Sequence, residues 1–171
     1  MKKLILLALS IITLAACEGD RGPMGPPGQD GLIGTTIEFQ VNFGNQNQYL
    51  YDFAANGIEV FEDEAILVYH SLDSEVENNN VSVWTPLPRT FYFDDGRELA
   101  YTYNHTFYDV EIMLGGSVNL NNLAPEFYQN QWFRIVIIPS ARLEDPFVNT
   151  SSYQALKTSI EAQGLQLKEI N

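Results

Sequence analysis

Across residues 36–43 the side chains alternate without a break: Ile37, Phe39, Val41 and Phe43 are apolar, Thr36, Glu38, Gln40 and Asn42 polar. A period of two puts all four apolar groups on one face of a β-strand, whereas a helix would split them between two sides. Residues 106–114 repeat the pattern and end at Gly115-Gly116. Residues 65–70 are apolar on both faces, as an interior strand covered from two sides is. Residues 131–138 form the most hydrophobic run and stop at Pro139. The clearest hairpin joins 90–93 to 98–103 through Asp94-Asp95-Gly96-Arg97, in which Asp-Gly accepts positive φ cheaply. Shorter strands are expected at 49–53 and 58–61 around Asn56-Gly57, and at 81–84, broken near Pro86 and Pro88. Pro125-Glu126-Phe127-Tyr128 reads as one helical turn. Only the C-terminal region is helical in pattern, with Tyr153, Leu156 and Ile160 at i, i+3, i+7 and Gly164 as a stop. Seven or eight strands joined by short turns predict an all-β fold over 35–171: an antiparallel β-sandwich, with jelly-roll-like connectivity as one arrangement, and one C-terminal helix.

The first fifth of the chain follows different rules. Two lysines precede a thirteen-residue, mostly apolar run, residues 4–16, and then the sole cysteine. A spanning helix needs roughly 20 apolar residues; a signal peptide needs roughly 7–15. Leu14-Ala15-Ala16-Cys17 has the small residues before a cut and the thiol after it that a lipobox requires. Residues 1–16 are therefore read as a lipoprotein signal peptide and Cys17 as the lipidation site. A single cysteine also excludes an internal disulfide. From there glycine recurs every third position, at Gly19, Gly22, Gly25, Gly28, Gly31 and Gly34, with proline in both other positions. This is collagen-type sequence, in which only glycine fits the axis of three chains. Five triplets offer little length for interchain bonds. Residues 17–34 are thus expected to be a single extended spacer reaching roughly 50 Å at about 3.1 Å per residue; a homotrimer is the less favoured alternative.

Charge and motif content narrow the function. The chain has 9 basic and 22 acidic side chains, net −13, and loss of Lys2 and Lys3 with the leader makes it more acidic still. Such a field repels nucleic acid. His70 ends an apolar strand and His105 starts another, with no second histidine at ligand spacing; a packed or surface role is the default for both, and no metal site is expected. Glu62-Asp63-Glu64 reads as a solvated loop and Asp94-Asp95 as a turn; neither has the spacing of a twelve-residue calcium loop. No nucleophile elbow or phosphate loop occurs, so no enzymatic activity and no cofactor is expected. Nine tyrosines, ten phenylalanines and two tryptophans mostly fill a core, but Tyr92, Tyr101, Tyr103 and Tyr108 are candidates for an exposed aromatic surface that stacks on sugars or anchors a partner.

The lipobox with Cys17, followed by Glu18-Gly19-Asp20-Arg21-Gly22-Pro23-Met24-Gly25-Pro26-Pro27-Gly28-Gln29-Asp30-Gly31, resembles small collagen-like lipoproteins of Bacteroidota-type bacteria. The resemblance covers residues 1–34. It implies an outer-membrane location, often facing outward, and a structural, adhesive or binding role toward protein or glycan. The alternative is an envelope glycan-active hydrolase or accessory enzyme.

Overall fold

The computed structural model describes residues 31–44, 47–72, 76–77 and 81–170. The expected signal peptide (1–16), Cys17 and the glycines Gly19, Gly22, Gly25 and Gly28 of the expected spacer lie outside the described residues. Two sheets carry the fold. The first is built from β1 (Leu32–Val41), β3 (Glu64–Ser71), β6 (Thr85–Pro86), β10 (Gln131–Pro139) and β11 (Gln166–Ile170), in the order β11-β1-β10-β3-β6. The second has the order β2-β9-β8-β7, from β2 (Gln48–Asp52), β7 (Arg89–Tyr92), β8 (Glu98–His105) and β9 (Asp109–Gly116). A two-stranded ribbon pairs β4 (Val76–Glu77) with β5 (Val81–Ser82).

The alternation read in the sequence decides which side chains meet between the sheets. Ile37 and Val41 of β1, Ile66 and Val68 of β3, and Phe133, Ile135 and Ile137 of β10 share one core with Tyr51, Leu99, Tyr101, Val110 and Ile112 of the second sheet. Phe39 lies 4.7 Å from Tyr51 across that core, ring centre to ring centre. The result is a β-sandwich-like stack. β3 and β10 are apolar on both faces because their outer side is covered too. There α1 (Tyr153–Glu161) buries Tyr153, Leu156 and Ile160 against Tyr69, Val136 and Ile138. Ser152 caps this helix, its hydroxyl accepting from the Ala155 N–H at 3.1 Å. Beside the helix, Glu38 holds Arg134 at 2.6 Å, and the guanidinium lies 4.2 Å from the centres of both the Trp84 and Tyr153 rings.

Three expectations are corrected. The domain begins at Gly31, not Thr35. The Gly-X-Y phase runs on into β1, where Leu32 and Ile33 are strand residues and Ile33 packs toward the helix cluster. Gly31 has φ +76 and its carbonyl accepts from Gln166 at 2.7 Å. A Cβ on Gly34 would stand 2.3 Å from the Ile137 oxygen, so that glycine is required by the close approach of two strands. Second, the sandwich is not wholly antiparallel: β11 pairs parallel to β1. α1 brings the chain back to the end of the sheet at which β1 starts, so both strands run the same way. Third, residues 58–61 form no strand; Val60 reaches the core from an irregular segment.

Candidate functional site

β1 starts, β10 ends and β3 starts at one end of the sandwich, since Thr35 faces Ile137 and Glu64 faces Pro139. This end, where the chain joins the domain, is called the root. The opposite end, the tip, carries the β7–β8 hairpin, the segment after β1 and the long connection from β9 to β10.

The tip holds two clefts separated by Leu123. One, of about 240 Å³, is lined by Phe43, Asn47, Leu114, Leu120, Asn121 and Tyr128. The other, of about 180 Å³, is lined by Phe93, Arg97, Val118, Asn119, Asn122 and Phe127. Their shared wall is local chemistry. Asn119 caps a short 3₁₀ turn, Leu120–Asn122, by accepting from the Asn121 N–H at 3.1 Å. Pro125 opens a second turn, Pro125–Phe127. Arg97 is held in a fork by Asp95, with Nε at 2.7 Å and Nη2 at 2.6 Å. The same contacts hold the Asp95 carboxyl below the usual carboxylate range.

A buried polar network supports this wall from below. The Gln131 side-chain amide donates to the Glu126 carbonyl at 2.8 Å and the Gln129 carbonyl at 2.6 Å. Tyr101 donates its hydroxyl proton to the Phe127 carbonyl. The Phe43 N–H donates to the Tyr128 carbonyl at 2.8 Å. Because both amide hydrogens of Gln131 are used on carbonyls, its oxygen faces His70 Nε2 at 3.0 Å. Arg89 Nη1, which can only donate, lies 3.4 Å from His70 Nδ1. The ring therefore accepts at Nδ1 and donates from Nε2, a neutral tautomer. It stacks on Tyr101 at 4.1 Å. His70 and Gln131 are fully buried, so they shape the tip from within instead of meeting a ligand.

At the root a cleft of about 250 Å³ lies between 60–66 and 105–107, with Phe61, Glu62, Glu64, His105 and Phe107 on its walls. Its loops are held by their own side chains. Thr106 Oγ1 donates to Asp109 Oδ1 at 2.8 Å and accepts from the Tyr108 N–H at 3.0 Å. Glu64 Oε2 accepts from the Phe61 N–H at 2.9 Å.

Of the four candidate exposed tyrosines, Tyr92 at the tip (79% exposed) and Tyr108 at the root (66%) are on the surface. Tyr101 and Tyr103 are not a surface pair, and that expectation is corrected. They share the inward face of β8 with Leu99: Tyr101 is fully buried, and the half-buried Tyr103 donates to the Ile66 carbonyl at 3.2 Å. Burial pushes the Tyr103 phenol up from its ordinary value. The two histidines are not brought together: His70 is core and His105 is exposed at the root. Among the described residues no three His, Cys, Asp or Glu side chains are grouped to hold a metal ion. Glu62 and Asp63 are exposed, as a solvated loop should be. Sequence reasoning missed Gln131, Arg97 and the asparagines 119, 121 and 122. Gln131 had a signal, a polar residue heading the most hydrophobic strand. The asparagines had none beyond a polar loop.

The chain matches no family model. No curated protein and no solved structure matches it either.

Proposed function

We propose that this chain is a surface lipoprotein, held in the outer membrane by acyl chains on Cys17, and that the tip of its β-domain binds a hydroxyl-rich ligand, a glycan. In this reading residues 1–16 are cleaved, the Gly-X-Y run is a tether and not an assembly element, and the role is adhesive or structural. The architecture is that of the collagen-like lipoproteins it resembles. One observation carries the binding reading: two clefts walled by aromatic rings and by four asparagine amides, flanking Leu123. An asparagine amide carries one acceptor oxygen and two donor hydrogens, the pattern that adjacent sugar hydroxyls match; the Asn119 oxygen is engaged by the Asn121 N–H, so Asn119 contributes chiefly its donors. Aromatic faces pack against the C–H faces of sugar rings. A wall fixed from below loses little freedom on binding, which favours affinity.

Two measurements test the two halves separately. Cys17→Ser should abolish labelling by a fatty-acid analogue and release the protein from the membrane fraction; equal labelling rejects the anchor. A panel of envelope polysaccharides should bind the unsubstituted protein and bind Asn121→Ala/Asn122→Ala at least about tenfold more weakly, since each lost buried hydrogen bond costs about 1 kcal/mol. Unchanged binding by that variant, or none by the parent, rejects the glycan reading.

A further inference from the structure

We propose that the root is a lipid-facing surface, which rests its apolar side chains on an uncharged bilayer while the tip points away from it. This rests on the reading of Cys17 as the anchor and adds an orientation to it. Most of the large apolar side chains exposed among the described residues gather at the root. Leu32 opens β1 and Phe61 sits in the turn before β3, where Ser140 Oγ donates to the Asp63 carbonyl at 2.7 Å. Leu143 lies in the 3₁₀ turn that follows β10, Ser140–Glu144, with Phe147 three residues beyond it. Phe107 and Tyr108 fill the β8–β9 loop, and Phe107 shares a cleft with Phe61. Phe147 is 79% exposed, Tyr108 66% and Phe61 55%. Aromatic and aliphatic side chains projecting from loops are what settles into a headgroup layer.

Length of chain and charge select the occupant. Thirteen residues separate Cys17 from Gly31. They span about 40 Å when extended and about 20 Å as a coil. The root is the part of the domain that this tether joins, so the bilayer is present there at high effective concentration. Glu62, Asp63, Glu144 and Asp145 also lie at the root, with Arg142 as a counter-charge. Two such roots repel each other, which disfavours a second copy, and anionic lipid is disfavoured for the same reason. A zwitterionic headgroup layer carries no such penalty.

The test uses the mature lipoprotein in phosphatidylcholine–phosphatidylethanolamine vesicles. Cys17 is blocked as a thioether, so Tyr108→Cys, Phe147→Cys or Tyr92→Cys each supplies one reactive thiol for an environment-sensitive nitrobenzoxadiazole dye. All three positions are exposed, and a cooperative melt checks each variant. Dye at 108 and 147 should emit to the blue and be quenched by nitroxide lipid about twofold or more over dye at 92. The difference should shrink when phosphatidylglycerol is added. Equal quenching at all three positions overturns the proposal. So does a blue shift at 108 and 147 without lipid quenching, which would mean that a second copy or another protein covers the root. Vesicle flotation reports the anchor by itself: a chain that does not float removes both readings, whereas one that floats with equal quenching removes only this one.

Discussion

Root and tip are both strand ends of one sandwich, yet they are held in different ways. At the tip, side chains reach up from the core: Gln131 and Tyr101 bind three backbone carbonyls of the 126–129 segment, and His70 orients Gln131. At the root the holding side chains are at the surface: Thr106 binds Asp109 and Glu64 binds Phe61 within their own loops, and Ser140 ties the turn after β10 to the Asp63 carbonyl. Shape at the tip is therefore tied to core stability, while the root can change its surface at little cost. A recognition site gains from the first arrangement, because a fixed wall loses little entropy on binding. A surface that rests on lipid needs only exposed apolar groups, which the second supplies.

The largest expected effect tests what both ends depend on. Gly34 and Gly116 each lie where a Cβ would stand 2.3 Å from a backbone oxygen, that of Ile137 and of Glu98 respectively. Gly34→Ala and Gly116→Ala should each cost about 3 kcal/mol, and Gly116→Ala the more, because its φ of +124 also disfavours a side chain. Gly28→Ala should leave the thermal midpoint unchanged. If Gly34→Ala melted like Gly28→Ala, the folded domain would begin at Thr35 after all.

The next effect separates the ends. Gln131→Leu keeps the volume but leaves the Glu126 and Gln129 carbonyls and His70 without this partner, at a cost of about 2 kcal/mol. Hydrogen exchange should quicken over 120–129 while 105–109 keeps its rate. Thr106→Val should do the reverse for less than about 1 kcal/mol, since its bonds are exposed. Equal loosening of both ends by Gln131→Leu would show that the tip is not separately supported.

How far the sequence reveals this plan depends on where the information lies. β3 and β10 showed as continuous apolar runs, because α1 or its neighbours cover their outer side too, and β8 showed through its Asp-Gly hairpin. Period-two alternation marked β1 and β9, because one face of each is fixed by the core. It missed β11, since Leu167 and Ile170 are three apart and an edge strand with a half-exposed face has no need to alternate. It also ended the spacer at Gly34, because a glycine needed for close strand packing has the same letter as a glycine in a Gly-X-Y triplet. Tyr101 and Tyr103 were readable as inward from Leu99, two and four residues before them, had the period been applied to the aromatic candidates. The tip was not readable. Its clefts join residues 43, 97, 121 and 127, and only the pairing of β1 with β10 and β8 with β9 brings those together.

The smallest effect concerns how the root keeps β11. Lys157 of α1 pairs with Glu169 of β11 at 2.8 Å, with the side chains 35% and 52% exposed. The hydrogen bond from Lys157 holds the Glu169 carboxyl below its ordinary value and raises the ammonium. A carboxyl lowered in the folded state stabilises above its unfolded value, about 4.3, and that stability is lost as pH falls through the folded value. A raised lysine acts at the other limit: its contribution is full below about 10.4 and is lost as pH rises through the folded value. The pair therefore works across the neutral range. Solvent screening of so exposed a pair keeps it to about 0.5 kcal/mol. Glu169→Gln should be that much less stable than the parent near neutrality, and the gap should close as pH falls below about 4.3 or as salt is added. Hydrogen exchange should show the loss in β11 and the start of β1, with the tip unmoved. A gap that stays constant down to acid would mean that Glu169 acts through packing or through its 3.5 Å contact with the Tyr153 hydroxyl, and that the root does not depend on this charge.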